Sequence, residues 1–101
     1  MSAQYQTAAR NLLAKMISEL AWEEVLSPAQ GELRLQSGAI WRFQSRRGIW
    51  DNLWIDPASI TRDGGGTDPF RLITDARAEM GMSPATEAMF VREIANTLTQ
   101  D

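Results

Sequence analysis

Residues 38–62, GAIWRFQSRRGIWDNLWIDPASITR, decide how this chain folds. From Ala39 to Arg46 the residues alternate at period two, which sets Trp41 and Phe43 on one face and Ile40, Arg42 and Gln44 on the other. Arg47–Gly48 suits a two-residue turn. The run Ile49 to Asp56 then places Ile49, Leu53 and Ile55 on one face and Trp50 and Trp54 on the opposite one. Immediately upstream, Glu32–Gln36 alternates as well, with Leu33 and Leu35 on one side, and Ser37–Gly38 supplies a tight turn. These features predict a three-stranded antiparallel meander. Its second face is more aromatic than a solvated face needs, so a partner is expected to cover it.

Outside the meander the period changes. From Thr7 to Leu26 the apolar residues Ala9, Leu12, Leu13, Met16, Ile17, Leu20 and Ala21 recur three and four apart, predicting an amphipathic helix that ends at Ser27–Pro28. Beyond the sheet, Asp63–Gly66 is a flexible loop, and Asp68–Pro69 is a helix start with an N-cap and a first-turn proline. Phe70, Ile73, Ala76 and Met80 share one face of that helix, and Gly81 closes it in the left-handed conformation. Ser83–Pro84 repeats the start signal for a last helix bearing Val91, Ile94, Ala95 and Leu98. The expected class is α+β: an N-terminal helix, the three-stranded meander, and two C-terminal helices packed mainly on one face of the sheet. Residues 1–101 form a single domain, without repeats or a linker.

Composition narrows the chemistry. The 101 residues include no histidine and no cysteine, which excludes imidazole and thiol catalysis and the usual zinc ligand sets. The hydrophobic fraction of 44% comes in short runs, so no membrane span is expected. The N-terminus lacks a basic region followed by an apolar run, and a cytoplasmic location is the expectation. A net charge of −3 offers no general attraction to nucleic acid, although Arg34, Arg42, Arg46 and Arg47 gather in or beside the hairpin.

The candidate interface is Trp41, Trp50 and Trp54 with Arg46 and Arg47. Aromatics beside arginines on a sheet are how several RNA-binding modules work, but the glycine-aromatic signature of those modules is absent and the chain does not begin with a strand. Packing under the helices or against a neighbouring domain is the better reading of the tryptophans. Arg46–Arg47 could grip a carboxylate or phosphate. Asp63–Gly66 before a helix superficially resembles a phosphate loop but lacks the lysine and hydroxyl pair. Glu23 and Glu24 are adjacent on a helix, about 100° apart, and cannot aim at one substrate atom. Asp51, Asp56, Asp63 and Asp68 lack the alternating spacing of a calcium loop. No catalytic, cofactor or metal residue is assigned.

The strand LWIDPASITR (53–62), the helix DPFRLITDARAEMG (68–81) and the terminal FVREIANTLTQD (90–101) together resemble the N-terminal portion of the siderophore synthetases that work without a peptide-synthetase template, the aerobactin-synthetase-like family. The resemblance runs from about Asn11 to Asp101 and rests on largely structural residues. It implies the thumb-like N-terminal domain of an enzyme that activates citrate or a related acid with ATP and Mg2+ as an acyl-adenylate, then passes it to an amine or hydroxyl. In that family the nucleotide site contains a Gly-His-Pro segment followed by Lys, Ser and Arg, downstream of the region matched here. No ATP-contacting residue carries over to this chain, and the fragment itself is expected to need no cofactor. The implied partners are the remaining domains of the synthetase and a second copy of the enzyme; neither nucleic acid nor membrane is expected. A free-standing protein-interaction module using the Trp-rich face is the alternative from a different class.

Overall fold

The computed structural model describes residues 3–49 and 53–99. Helix α1 spans Ala3–Trp22. It stops four residues before the predicted end because Glu24 adopts a left-handed conformation, φ 63°. The Val25 N–H then reaches back to the Leu20 carbonyl at 2.9 Å and the Glu24 N–H to that of Ala21 at 3.1 Å, a Schellman closure made without glycine. Gln30 and Gly31, both at positive φ, form a mirror-image turn in which Ala29 and Glu32 exchange both backbone hydrogen bonds. Glycine is required at the second of these positions. A Cβ on Gly31 would stand 2.5 Å from the Phe43 carbonyl oxygen.

Strands β1 (Glu32–Arg34), β2 (Ile40–Arg42), β3 (Ser45–Arg47), β4 (Leu53–Ile55) and β5 (Thr61–Arg62) follow. They form two antiparallel ladders, β1-β2-β5 and β3-β4. The α+β class and the antiparallel order of the meander hold, while two details differ from the sequence reading. Arg47 pairs with Leu53, so the second turn lies beyond Arg47 and β4 begins at Leu53 rather than Ile49. Ile49 is 93% exposed, off the apolar face assigned to it. Secondly, the chain leaves the sheet after Ile55 only briefly and returns to it as β5. Ser45 faces Ile55 whereas Arg42 faces Thr61, so three steps along one strand match six along the other. The excess is the 3-10 turn Pro57–Ser59, capped by Asp56, whose carboxylate accepts from the Ala58 N–H at 3.1 Å. The Ser59 hydroxyl covers the gap by accepting from the Gln44 N–H at 2.8 Å.

Asp68 caps α2 (Pro69–Asp75) as its side chain accepts from the Arg71 N–H at 2.9 Å. The predicted single helix is interrupted at Ala76, which lies in the bridge region at φ −95°, ψ 10°, and continues as α3 (Arg77–Met80) to a left-handed Gly81 at φ 62°. Helix α4 spans Pro84–Thr99, with the Ser83 hydroxyl accepting from the Thr86 N–H.

The apolar spacing explains the layers. Leu13 and Ile17 of α1, Leu72 of α2 and the adjoining Ala76 pack on the sheet face carrying Leu33, Trp41 and Ile55. Ile73 points the other way, joining Ala9, Ile94 and Leu98 in a second cluster under α4, and Met16 and Met80 touch both clusters. Thus α1 and α2 form a middle layer between sheet and α4. Each fully buried Leu, Ile or Phe of such a core contributes about 1.5–3 kcal/mol relative to exposure. Long-range polar bonds lock α1 in place: Arg10 donates to the Ile60 carbonyl at 2.6 Å and to that of Pro57 at 3.5 Å, and Ser18 to the Leu53 carbonyl at 2.9 Å.

Candidate functional site

The structure divides the residues of the sequence-derived interface. Trp41 belongs to the core: its side chain is fully buried, and its indole N–H donates to the Asp75 carboxylate at 3.0 Å. Strand alternation puts it on the face that the helices cover, which corrects its assignment to an interface. Trp50 lies outside the described residues. Trp54, on the opposite face of its strand from Ile55, remains 47% exposed. Arg46 faces it directly across the ladder and holds its guanidinium 4.7 Å from the ring centroid, a cation–π contact.

Arg46 and Arg47 do not converge, since successive strand residues point to opposite faces. Arg47 lines a groove of about 770 Å³ whose other walls include Trp22, Leu26, Pro28 and Leu53. The left-handed Glu24 ends α1 early and leaves Trp22, 67% exposed, at this rim. The hairpin end therefore presents Trp22, Ile49 and Trp54 to solvent beside two arginines.

The other arginines noted in the sequence are neutralised. Arg42 meets Glu32 directly across the ladder at 2.9 Å and grips Asp63 with Nε and Nη2 at 3.1 and 3.0 Å, while Arg34 pairs with Glu32. The hydrogen bonds from Arg42 hold the Asp63 carboxyl below its ordinary pKa, and those to Asp63 in turn raise that of Arg42. This alternating row on the solvent face is a sheet-stabilising ladder and leaves little free positive field.

A second cluster was not recognised from sequence. Asp75, buried on α2, accepts from Trp41 and from Arg62 twice, Nε at 2.6 Å and Nη2 at 3.2 Å. Arg62 also donates to the Gly65 carbonyl at 2.8 Å, and its hydrogen bonds with Asp75 raise its pKa further. The signal was an aspartate three residues after Leu72 and beside Ala76 on an otherwise apolar helix face, which demands a buried partner. With three donors on one carboxylate, the arrangement pins α2 to the sheet and leaves no lone acid or base poised for chemistry. The glycine loop at 64–66 is closed in the same way, by Arg62 on Gly65 and by the Asp68 cap on the helix start, which makes it a connection rather than an anion cradle. Among the described residues no group of three or more acidic side chains is placed to hold a metal ion, and no helix is long and apolar enough to cross a membrane.

What remains as a functional element is surface. Comparison with known proteins gives that surface a context. No family model matches the chain. It is 33% identical over 106 residues to the rhizobactin siderophore biosynthesis protein RhbF of Rhizobium meliloti, a match covering 96% of this chain and 18% of that protein. An aerobactin synthase of Escherichia coli is 36% identical over 96 residues, covering 91% and 17% of the two chains. The solved structure of aerobactin synthetase IucC from a hypervirulent pathotype of Klebsiella pneumoniae superposes with a TM-score of 0.84 at 33% identity, over 94% of this chain and 18% of that one. The chain thus spans 17–18% of the length of these relatives. Likeness in sequence and in fold across almost all of its residues makes this chain a member of the template-independent, aerobactin-synthetase-like siderophore synthetase family, matching its N-terminal domain.

Proposed function

We propose that this chain acts as a non-catalytic N-terminal domain of an ATP-dependent siderophore synthetase that adenylates citrate or a related carboxylic acid and condenses it with an amine or hydroxyl. The extent of the match carries the reading: nearly all of this chain aligns, yet only 17–18% of relatives named as siderophore synthases or biosynthesis proteins. In the reaction, a carboxylate oxygen attacks the α-phosphorus of ATP and pyrophosphate leaves. The nucleophile then adds to the acyl carbonyl and AMP departs. ATP and Mg2+ are handled by the body of the synthetase, in the cytoplasm where ATP is abundant. This chain contributes rigid surface to assembly, with the remaining domains as its partner and a second copy of the enzyme as a further one. The absence of histidine and cysteine and the triple occupation of the Asp75 carboxylate support a structural role.

The test is citrate-dependent exchange of pyrophosphate into ATP, measured on the product of the whole reading frame and on residues 1–101 alone. Exchange by the former and none by the latter is the expected outcome. Exchange by the 101 residues alone would overturn the proposal. So would a frame that stops at Asp101 with no separately encoded body binding the chain.

A further inference from the structure

A second groove, about 340 Å³, opens between α1 and α4. Leu12, Met16 and Leu20 of α1 line one side, with Ile73, Met80 and Ile94 across from them. Phe90 stands at its edge, 39% exposed, and the adjacent Met89 is 63% exposed. The polar lining is almost entirely acidic: Glu19 and Glu23 on α1 and Glu93 on α4, with Thr97, and no lysine or arginine. All three carboxylates are exposed, and none forms an ion pair among the described residues. Elsewhere on the molecule Glu32, Asp63, Asp75 and Glu87 each meet an arginine. This face thus presents an apolar trough edged by three carboxylates with no cation in its lining.

We infer that the groove seats an amphipathic helix bearing lysine or arginine beside its apolar stripe, supplied by the remaining polypeptide of the synthetase. The source of that helix rests on the function proposed above. Four arguments fix its chemistry. The long walls are helices whose backbone groups are already paired within the ladder, so a strand could not add itself here and the occupant must satisfy its own backbone. From Leu12 to Glu23 the wall runs about 16 Å at 1.5 Å per residue, the length of three turns of a docked helix. Met16 and Met80 provide a floor that adapts to the side chains laid on it. The glutamate rim then selects the sign of the flanking charges, favouring a cationic helix and repelling an acidic one.

The probes are two synthetic 16-residue helical peptides with the same leucine stripe, one flanked by lysines and the other by glutamates. Each is titrated into the 101-residue chain while the ε-methyl NMR signals of Met16, Met80 and Met89 are followed. The lysine peptide is expected to move the Met16 and Met80 signals, to bind at least about 10-fold more tightly than the glutamate peptide, and to weaken with added salt. Glu19→Gln with Glu93→Gln should abolish the preference, and Glu19→Lys with Glu93→Lys should reverse it. The Trp41 indole N–H resonance, buried in the core and bonded to Asp75, reports that each variant is folded. Unmoved Met16 and Met80 signals, or equal affinities for the two peptides, would overturn the inference. The same signals shifting with concentration in the chain alone would also overturn it, by identifying a second copy as the occupant. The titration involves no ATP, so its failure beside a positive exchange assay removes the groove inference alone. Binding beside a failed exchange assay removes only the synthetase as the source of the helix.

Discussion

Trp41 and Trp54 are both hairpin tryptophans beside an arginine, yet they play opposite parts. Trp41 is fully buried and donates to a carboxylate that Arg62 also grips. Trp54 is half exposed, and its arginine lies over the ring without an acid to anchor it among the described residues. The distinction comes from what the third element brings. Helix α2 delivers Asp75 to Trp41, which converts a tryptophan and an arginine into a closed network. Nothing comparable reaches Trp54 among the described residues. The first pair is therefore a structural pin, and the second is a surface feature that a partner can complete.

The sharpest way to break this comparison is Asp75→Ala. It leaves the Arg62 guanidinium and the Trp41 N–H largely buried without their acceptor, and should cost about 3–5 kcal/mol in urea unfolding. A cost below about 1 kcal/mol would mean that the two tryptophans do not differ as described. Gly31→Ala attacks the same region through the backbone. The new Cβ clashes with the Phe43 carbonyl next to the buried strand and also requires a positive φ, so a loss of about 2 kcal/mol is expected from the same measurement.

On the exposed side, Trp54→Ala should cost less than about 1 kcal/mol, the scale of a solvent-exposed cation–π pair, and leave cooperative unfolding intact. It should nevertheless weaken capture of the chain by the rest of the synthetase in a pull-down. Loss of cooperative unfolding would instead move Trp54 into the core.

The smallest effect concerns pH. Arg42 depresses the pKa of Asp63 in the folded state, so the stability this pair adds is present above the ordinary carboxylate pKa and is lost as pH falls through the lower folded-state value. Asp63→Asn should therefore lower the melting temperature slightly at neutral pH, with the two curves converging in acid. A difference that persists unchanged in acid would assign Asp63 a role independent of its charge.

Much of the fold was legible before any coordinates. The helical spacing around Leu13 and Ile17, the alternation of Leu33 and Trp41, the Asp68–Pro69 start and the Gly81 stop are local signals, and each appears in the structure. The early end of α1 was not legible, because a glutamate took the left-handed position that glycine usually marks. Nor was the return of the chain to the sheet at Thr61. The two-residue strand β5 is too short to show a period, and its place beside β2 depends on the Pro57–Ser59 turn looping out.

The sequence by itself determined the α+β class, the order of N-terminal helix, antiparallel strands and C-terminal helices, the exclusion of imidazole and thiol chemistry, and a family resemblance carried by short structural motifs. These follow from properties that act over a few residues: periodicity, capping and composition. Only the tertiary structure decided which tryptophan is core and which is surface, which arginines are neutralised, and where apolar and acidic residues from α1 and α4 meet in one groove. The deciding pairings reach partners 20 or more residues away, such as Asp63 for Arg42 and Asp75 for Trp41, and pairings at that range are set by packing rather than by local sequence.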